Sequence, residues 1–239
     1  MKSAPAAQPS VNAGPRRRPE SGGYARGDEV RSRILLAAIA LFGEQGFASA
    51  STRAIAARAE VNPPALQYYF HNKERLHLAC GQYLADRISA HLHEPMLRAS
   101  EVIQAADRPA VPQAVWALME TVVDHSYNEA EVPGWTQFLA QAVAEAADTS
   151  LALIHRDAVE PLVKTLAALL ALAWSRPSGD ACSRLGAVLL LSQARAFGVH
   201  RQGTLMMMDW PDFDEGRLEL SKRCLKSLTT SLIASPLSA

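Results

Sequence analysis

The chain has 239 residues, 49% of them hydrophobic; Ala and Leu dominate and β-branched runs are few, which favours an all-helical fold with room for one large or two small domains. Its 24 basic and 24 acidic side chains cancel overall, but residues 1–75 hold 11 against 6 and the remainder 13 against 18, so only the first part suits a polyanion. Cys80, Cys182 and Cys224 are too scattered for a disulfide framework, residues 1–26 lack the apolar core of a signal peptide, and the longest apolar run (166–174) is too short to span a bilayer. The expectation is a soluble cytoplasmic protein.

Residues 1–26 are rich in Pro, Ala, Gly, Ser and Arg, carry no hydrophobic period and read as a disordered arm. Arg16, Arg17 and Arg18 either keep that arm solvated or reach along phosphates or into a minor groove. Order is expected from about Asp28, where Val30, Ile34, Ala38, Leu41 and Phe42 recur at helical spacing until Gly43 and Gly46 mark a stop. Ser51 is a natural N-cap for a short helix from Thr52 to Ala59. Asn62 caps a third helix. Pro63 and Pro64 fill its first two positions, where a missing N–H costs nothing, so the prolines start a helix rather than break one. Leu66, Tyr69 and Phe70 share one side of that helix, while Gln67 and Tyr68 point elsewhere. Asn72 then caps a long fourth helix opening at Lys73 and running to about 98. Further helices are expected at about 110–128, 134–147, 150–174, 180–199 and 213–234, with a loop over 200–216.

Three short helices, the second and third joined by a tight turn, make a helix-turn-helix, whose recognition helix presents its first residues to base edges in the major groove. Pro63, Pro64 and Ala65 form a compact apolar tip suited to a thymine methyl, and Gln67 can pair with adenine in bidentate fashion. Tyr68, Tyr69, Asn62, Thr52, Arg53 and Lys73 complete the expected DNA-contacting set, largely toward phosphates.

The stretch "ILLAAIALFGEQGFASASTRAIAARAEVNPPALQYYFHNKERL" resembles the DNA-binding domain of the TetR family of transcriptional regulators. Its turn carries Glu60 where that family usually has Gly. The segments 76–88, 158–174 and 195–220 are similar to the narrower CecR-like group. The resemblance implies a homodimer whose C-terminal helices form a four-helix bundle and whose helical core binds a small effector. It also implies operator release on effector binding, and repression rather than activation. The domains then run as an arm (1–26), a helix-turn-helix domain (27–73) and an effector-binding and dimerisation domain (74–236).

Apolar stripes agree with dimerisation. Leu185, Val188 and Leu189 form one, and Leu218, Leu225, Leu228 and Leu232 another; burial against their own subunit is the competing reading. Trp116, Met119, Trp135, Phe138 and Phe197 are either effector-pocket lining or plain core, with His125, His155 and Arg156 as candidate polar anchors. Met206, Met207 and Met208 are expected to plug a seam from the loop. His91 and His93 lie about 200° apart on a helix and cannot share an ion, so neither a metal nor another cofactor is expected, and no catalytic constellation has usable context. A competing function is that of a helical adaptor of the same fold, gripping a protein instead of DNA.

Overall fold

The computed structural model describes residues 21–127, 134–144, 149–194 and 200–235, and among these the chain is helical with no strand. Helix α1 (Ser21–Ser49) begins ahead of Asp28, so the last part of the expected arm is helical; Arg16 to Arg18 lie outside the described residues. Of the two glycines expected to stop it, only Gly46 does so, with φ 74° and ψ 165°, a backbone region open essentially to glycine alone. Gly43 stays inside the helix.

Next come α2 (Thr52–Arg58), α3 (Pro63–Phe70) and α4 (Lys73–Gln104). Pro95 does not interrupt α4, which outruns its expected end near 98. Beyond it lie α5 (Val111–Tyr127) and α6 (Trp135–Ala144). The stretch expected as one helix over 150–174 is three pieces: α7 (Thr149–Ile154), a π-helical turn (His155–Val159) and α8 (Glu160–Ala173). The cause is Pro161. It has no N–H for the Asp157 carbonyl one turn back, and that carbonyl instead accepts the Ser89 hydroxyl of α4 at 3.2 Å.

The chain ends in α9 (Ala181–Ala194), α10 (Arg201–Met208) and α11 (Glu215–Ala234). Helix α10 corrects the expected loop. Met206 and Met207 are about four-fifths exposed (82% and 81%), so within this subunit they plug nothing.

Two apolar clusters hold the fold. The first joins α1, α2, α3 and the start of α4 to Trp135 and Phe138 of α6 and Ile154 of α7. The second joins the far half of α4 to α5, α8, α9 and α11. Ile88 of α4 and Val159 of the π-turn pack against both. Cys80 is buried on α4, and burial pushes its thiol well above the ordinary range.

Candidate nucleic-acid interface and ligand cavity

The helix-turn-helix is fastened by caps. Ser51 Oγ accepts the Ala54 N–H at 3.1 Å, Asn62 Oδ1 the Ala65 N–H at 2.9 Å, and Asn72 Oδ1 the Arg75 N–H at 2.8 Å. Helix α2 ends in a Schellman motif: Val61 N–H reaches the Ala56 carbonyl and Glu60 N–H the Ala57 carbonyl. Glu60 sits there at φ 55°, in the left-handed position that glycine would fill without strain. At the other end of α3, His71 (φ 66°, ψ −56°) makes a γ-turn, and Asn72 N–H donates to the Phe70 carbonyl at 2.8 Å.

These turns decide which way α3 faces. Leu66 and Phe70 are buried, and Asn62, Pro63, Pro64, Gln67 and Tyr68 are exposed. Tyr68 is 79% exposed, with its ring edge-on to Tyr69 at 5.3 Å. Tyr69 is half-buried, its hydroxyl lying back toward Gly27 of α1. The two adjacent tyrosines therefore serve different sides: one faces out, the other braces α3 on α1. Arg53 is exposed on the first turn of α2, and Thr52 and, at the start of α3, Ala65 are half-buried. Lys73 is turned inward. Its ammonium donates to the Ala48 carbonyl at 3.1 Å and lies 4.7 Å over the Phe47 ring, leaving two of its three donors. Arg58 is held by both carboxylate oxygens of Glu44 at 2.7 and 2.8 Å.

A cavity of about 140 Å³ lies where the two clusters meet. Helix α4 supplies Ile88, His91 and Leu92; α5 supplies Thr121, Val122, His125 and Ser126; α6 supplies Trp135 and Leu139. The far wall is Leu151 and Ile154 of α7, His155 and Ala158 of the π-turn, and Leu162 of α8. Three rings stand in a row: His91 to His125 at 4.6 Å and His125 to Trp135 at 4.9 Å between centroids. Trp135 is buried, and its indole N–H has no partner.

Comparison with known proteins places this architecture. Residues 34–80 match the family model described as bacterial regulatory proteins, tetR family. The HTH-type transcriptional dual regulator CecR of Shigella flexneri is 28% identical over 198 residues, covering 82% of this chain and 87% of that one. Residues 34–80 are thus a segment of the tetR family, and most of the chain is similar to a transcriptional regulator. A TetR-like regulator from Rhodococcus sp. RHA1 superposes with a TM-score of 0.56 at 21% identity, over 86% of this chain and 96% of that one. AibR, solved with isovaleryl coenzyme A and operator DNA, gives 0.59 at 18% identity over 83% and 97%. These likenesses concern regulators, not enzymes.

Within this fold the expected pocket residues separate. Trp135 lines the cavity, as do His125 and His155. Trp116, Met119 and Phe138 do not. Met119 is wholly buried in the second cluster, Trp116 lies under the Lys226 ammonium at 5.4 Å, and Phe138 packs on Phe42 and His77. Arg156 turns away to bind Asp157, and Phe197 lies outside the described residues. Sequence reasoning passed over Leu139, Leu151, Ile154 and Leu162, ordinary apolar positions on three separate helices. The one local signal was Pro161, whose missing N–H frees the Asp157 carbonyl at the π-turn that carries His155 and Ala158.

The stripes expected at a dimer interface separate too. Leu218 and Leu225 are buried in the subunit's own second cluster, against α5, α8 and α9, and Leu232 packs partly on it. Leu185, Val188 and Leu189 of α9 and Leu228 of α11 are exposed, with Leu220 on the same side of α11 as Leu228.

Proposed function

We propose that this chain is a DNA-binding transcriptional regulator that grips a near-palindromic operator as a homodimer, mainly as a repressor, and lets go when a small molecule fills the cavity. The observation that carries the reading is the exposure of Pro63, Pro64, Gln67 and Tyr68 on a capped helix whose opposite side, Leu66 and Phe70, is buried. Gln67 then reads a base edge, the tip of Pro63, Pro64 and Ala65 meets a thymine methyl, and Thr52, Arg53, Asn62 and Tyr68 set register along the phosphates while Tyr69 holds α3 on α1. Lys73 adds a phosphate contact through its two remaining donors. On this reading the domains divide at about residue 73, with the cavity in the second. The exposed leucines and valine of α9, with Leu228 of α11, support pairing of two copies about a two-fold axis.

Release follows from where α4 lies. Its first turn abuts α3, and further along it walls the cavity with Ile88, His91 and Leu92. A ligand that prefers a shifted α4 moves the two recognition helices off the spacing of about 34–36 Å that one turn of DNA demands. A coupling of roughly 1–3 kcal/mol between the sites changes operator affinity about 5- to 150-fold. AibR, whose structure holds both an acyl-coenzyme A and operator DNA, is a precedent for the two occupancies on this fold. The similar CecR is named a dual regulator, so activation at some promoters accompanies this reading.

The test is binding of the purified protein to the DNA upstream of its own gene, against a scrambled duplex, at about 0.15 M salt and then across a salt series. One dimer per palindrome is expected, with log affinity falling steeply and linearly in log salt. A folded dimer that gains nothing from any genomic fragment, or a complex indifferent to salt, would favour the adaptor reading instead.

A further inference from the structure

The cavity also states what class of molecule it takes. Its volume of about 140 Å³ is close to the roughly 150 Å³ of an apolar cavity that holds one benzene ring. That limits the buried part of a ligand to about one ring with a small substituent. The described walls are mostly aliphatic, broken by three histidines, Trp135, Thr121 and Ser126, with neither a lysine, an arginine nor a carboxylate among them. Along one side stand the rings of His91, His125 and Trp135, each tilted about 45° to the next, an aromatic wall on which a flat ring packs offset or edge-on.

The polar groups narrow it further. Thr121 donates its hydroxyl proton to the Ala117 carbonyl of its own helix at 2.8 Å, so it has no proton left to give a ligand. Trp135 is 5% exposed, lines the cavity, and keeps its indole N–H buried without an acceptor. An indole nitrogen is a donor only, and a donor stranded in apolar surroundings is a standing cost that an acceptor removes. The π-turn is a third sign, since such turns recur at functional sites; here it brings His155 and Ala158 to the wall.

We infer that the cavity binds a one-ring aromatic compound bearing a hydrogen-bond-accepting oxygen, an aryl carbonyl or aryl carboxylate, with that oxygen on Trp135 Nε1. This rests on the reading of the cavity as the effector site. Among the described residues no three histidine, cysteine or acidic side chains converge to hold a metal ion.

Acetophenone, benzoate and isopropylbenzene separate the contributions, because all three present similar bulk and only the first two offer an acceptor. Binding to the full chain is measured by calorimetry, and the indole N–H resonances are followed by nitrogen-15 NMR, with Trp135→Phe identifying the Trp135 signal. At least one oxygenated probe should bind about tenfold or more tightly than isopropylbenzene and move the Trp135 N–H signal. Trp135→Phe should abolish that preference. Acetophenone ahead of benzoate marks a neutral carbonyl ligand, and the reverse order an anionic one. The inference is overturned if the hydrocarbon binds equally well, if the signal stays still on binding, or if none of the three binds. The wild-type spectra decide the matter even where Trp135→Phe fails to fold. A parallel operator-binding assay keeps the two readings apart: a probe that binds a protein with no operator defeats the regulator reading, whereas an operator complex with no probe binding defeats only the ligand class.

Discussion

Glu60 is a residue in the wrong backbone for its side chain. At φ 55° it closes the Schellman turn between α2 and α3, where an L side chain costs on the order of 1 kcal/mol relative to glycine. Glu60→Gly should therefore raise stability by about that amount in a denaturant melt, without moving the caps of α3. An unchanged midpoint would mean the turn relaxes in solution. A second expectation concerns Gln67 and Lys73. Exposed Gln67 touches nothing that holds the fold, so Gln67→Ala should leave the melting temperature alone while relaxing preference at one base position, a loss of roughly 1–3 kcal/mol on the preferred site. Lys73 ties α4 to the Ala48 carbonyl and the Phe47 ring, so Lys73→Ala should weaken binding to all duplexes alike and also lower the melting temperature. If the two substitutions act identically, the division of roles is wrong. The caps Ser51, Asn62 and Asn72 were readable in the sequence because a cap is a local bond spanning three residues. The inward turn of Lys73 was not, because its partners lie 25 residues back in the chain.

Among elements, the helices that could be read are those whose apolar residues repeat toward one core. Helix α10 escaped because only Leu205 of its eight residues is buried and its three methionines face outward, leaving no period to detect. The stripe of α11 divides between inside and outside for a similar reason: Leu228 is exposed, whereas Leu218 and Leu225 are buried. Leu218 and Leu225 are the spacing that a core contact and a dimer contact share, and only tertiary packing tells which is which. Close approaches between elements are equally silent in sequence. Gly43, expected to stop α1, lies against α6: a Cβ built there falls 2.9 Å from both the Gly134 carbonyl oxygen and the Phe138 nitrogen. Backbone cannot step aside as a flexible side chain can, so Gly43→Ala should destabilise the protein by about 1–3 kcal/mol. Thermal melts of the variant and its parent measure it, and an unaltered melting temperature would show that α1 and α6 do not pack this closely.

For the whole molecule, the cavity and the exposed α9 surface belong to one argument. The subunit has two apolar clusters with a hollow at their seam, and α4 crosses from one to the other. A lone subunit built this way is a weak DNA reader, since one short recognition helix touches only a few base pairs. Two subunits held rigidly turn the second half-site contact into an intramolecular event, a gain of roughly 10²–10⁴ in avidity. Leu185, Val188 and Leu189 sit at i, i+3 and i+4 on α9, each more than two-fifths exposed, which suits a surface covered by a second copy. Replacing Leu185 and Leu189 with Glu places four carboxylates across the proposed two-fold without disturbing the chain's own core. Sedimentation of this double variant should show monomers with a near-parental melting profile of the isolated subunit. Its affinity for a full palindrome should fall about a hundredfold or more, toward that for a half-site. A variant that stays dimeric would move the two-fold interface off α9, and one that is monomeric yet binds the palindrome undiminished would remove the need for a dimer.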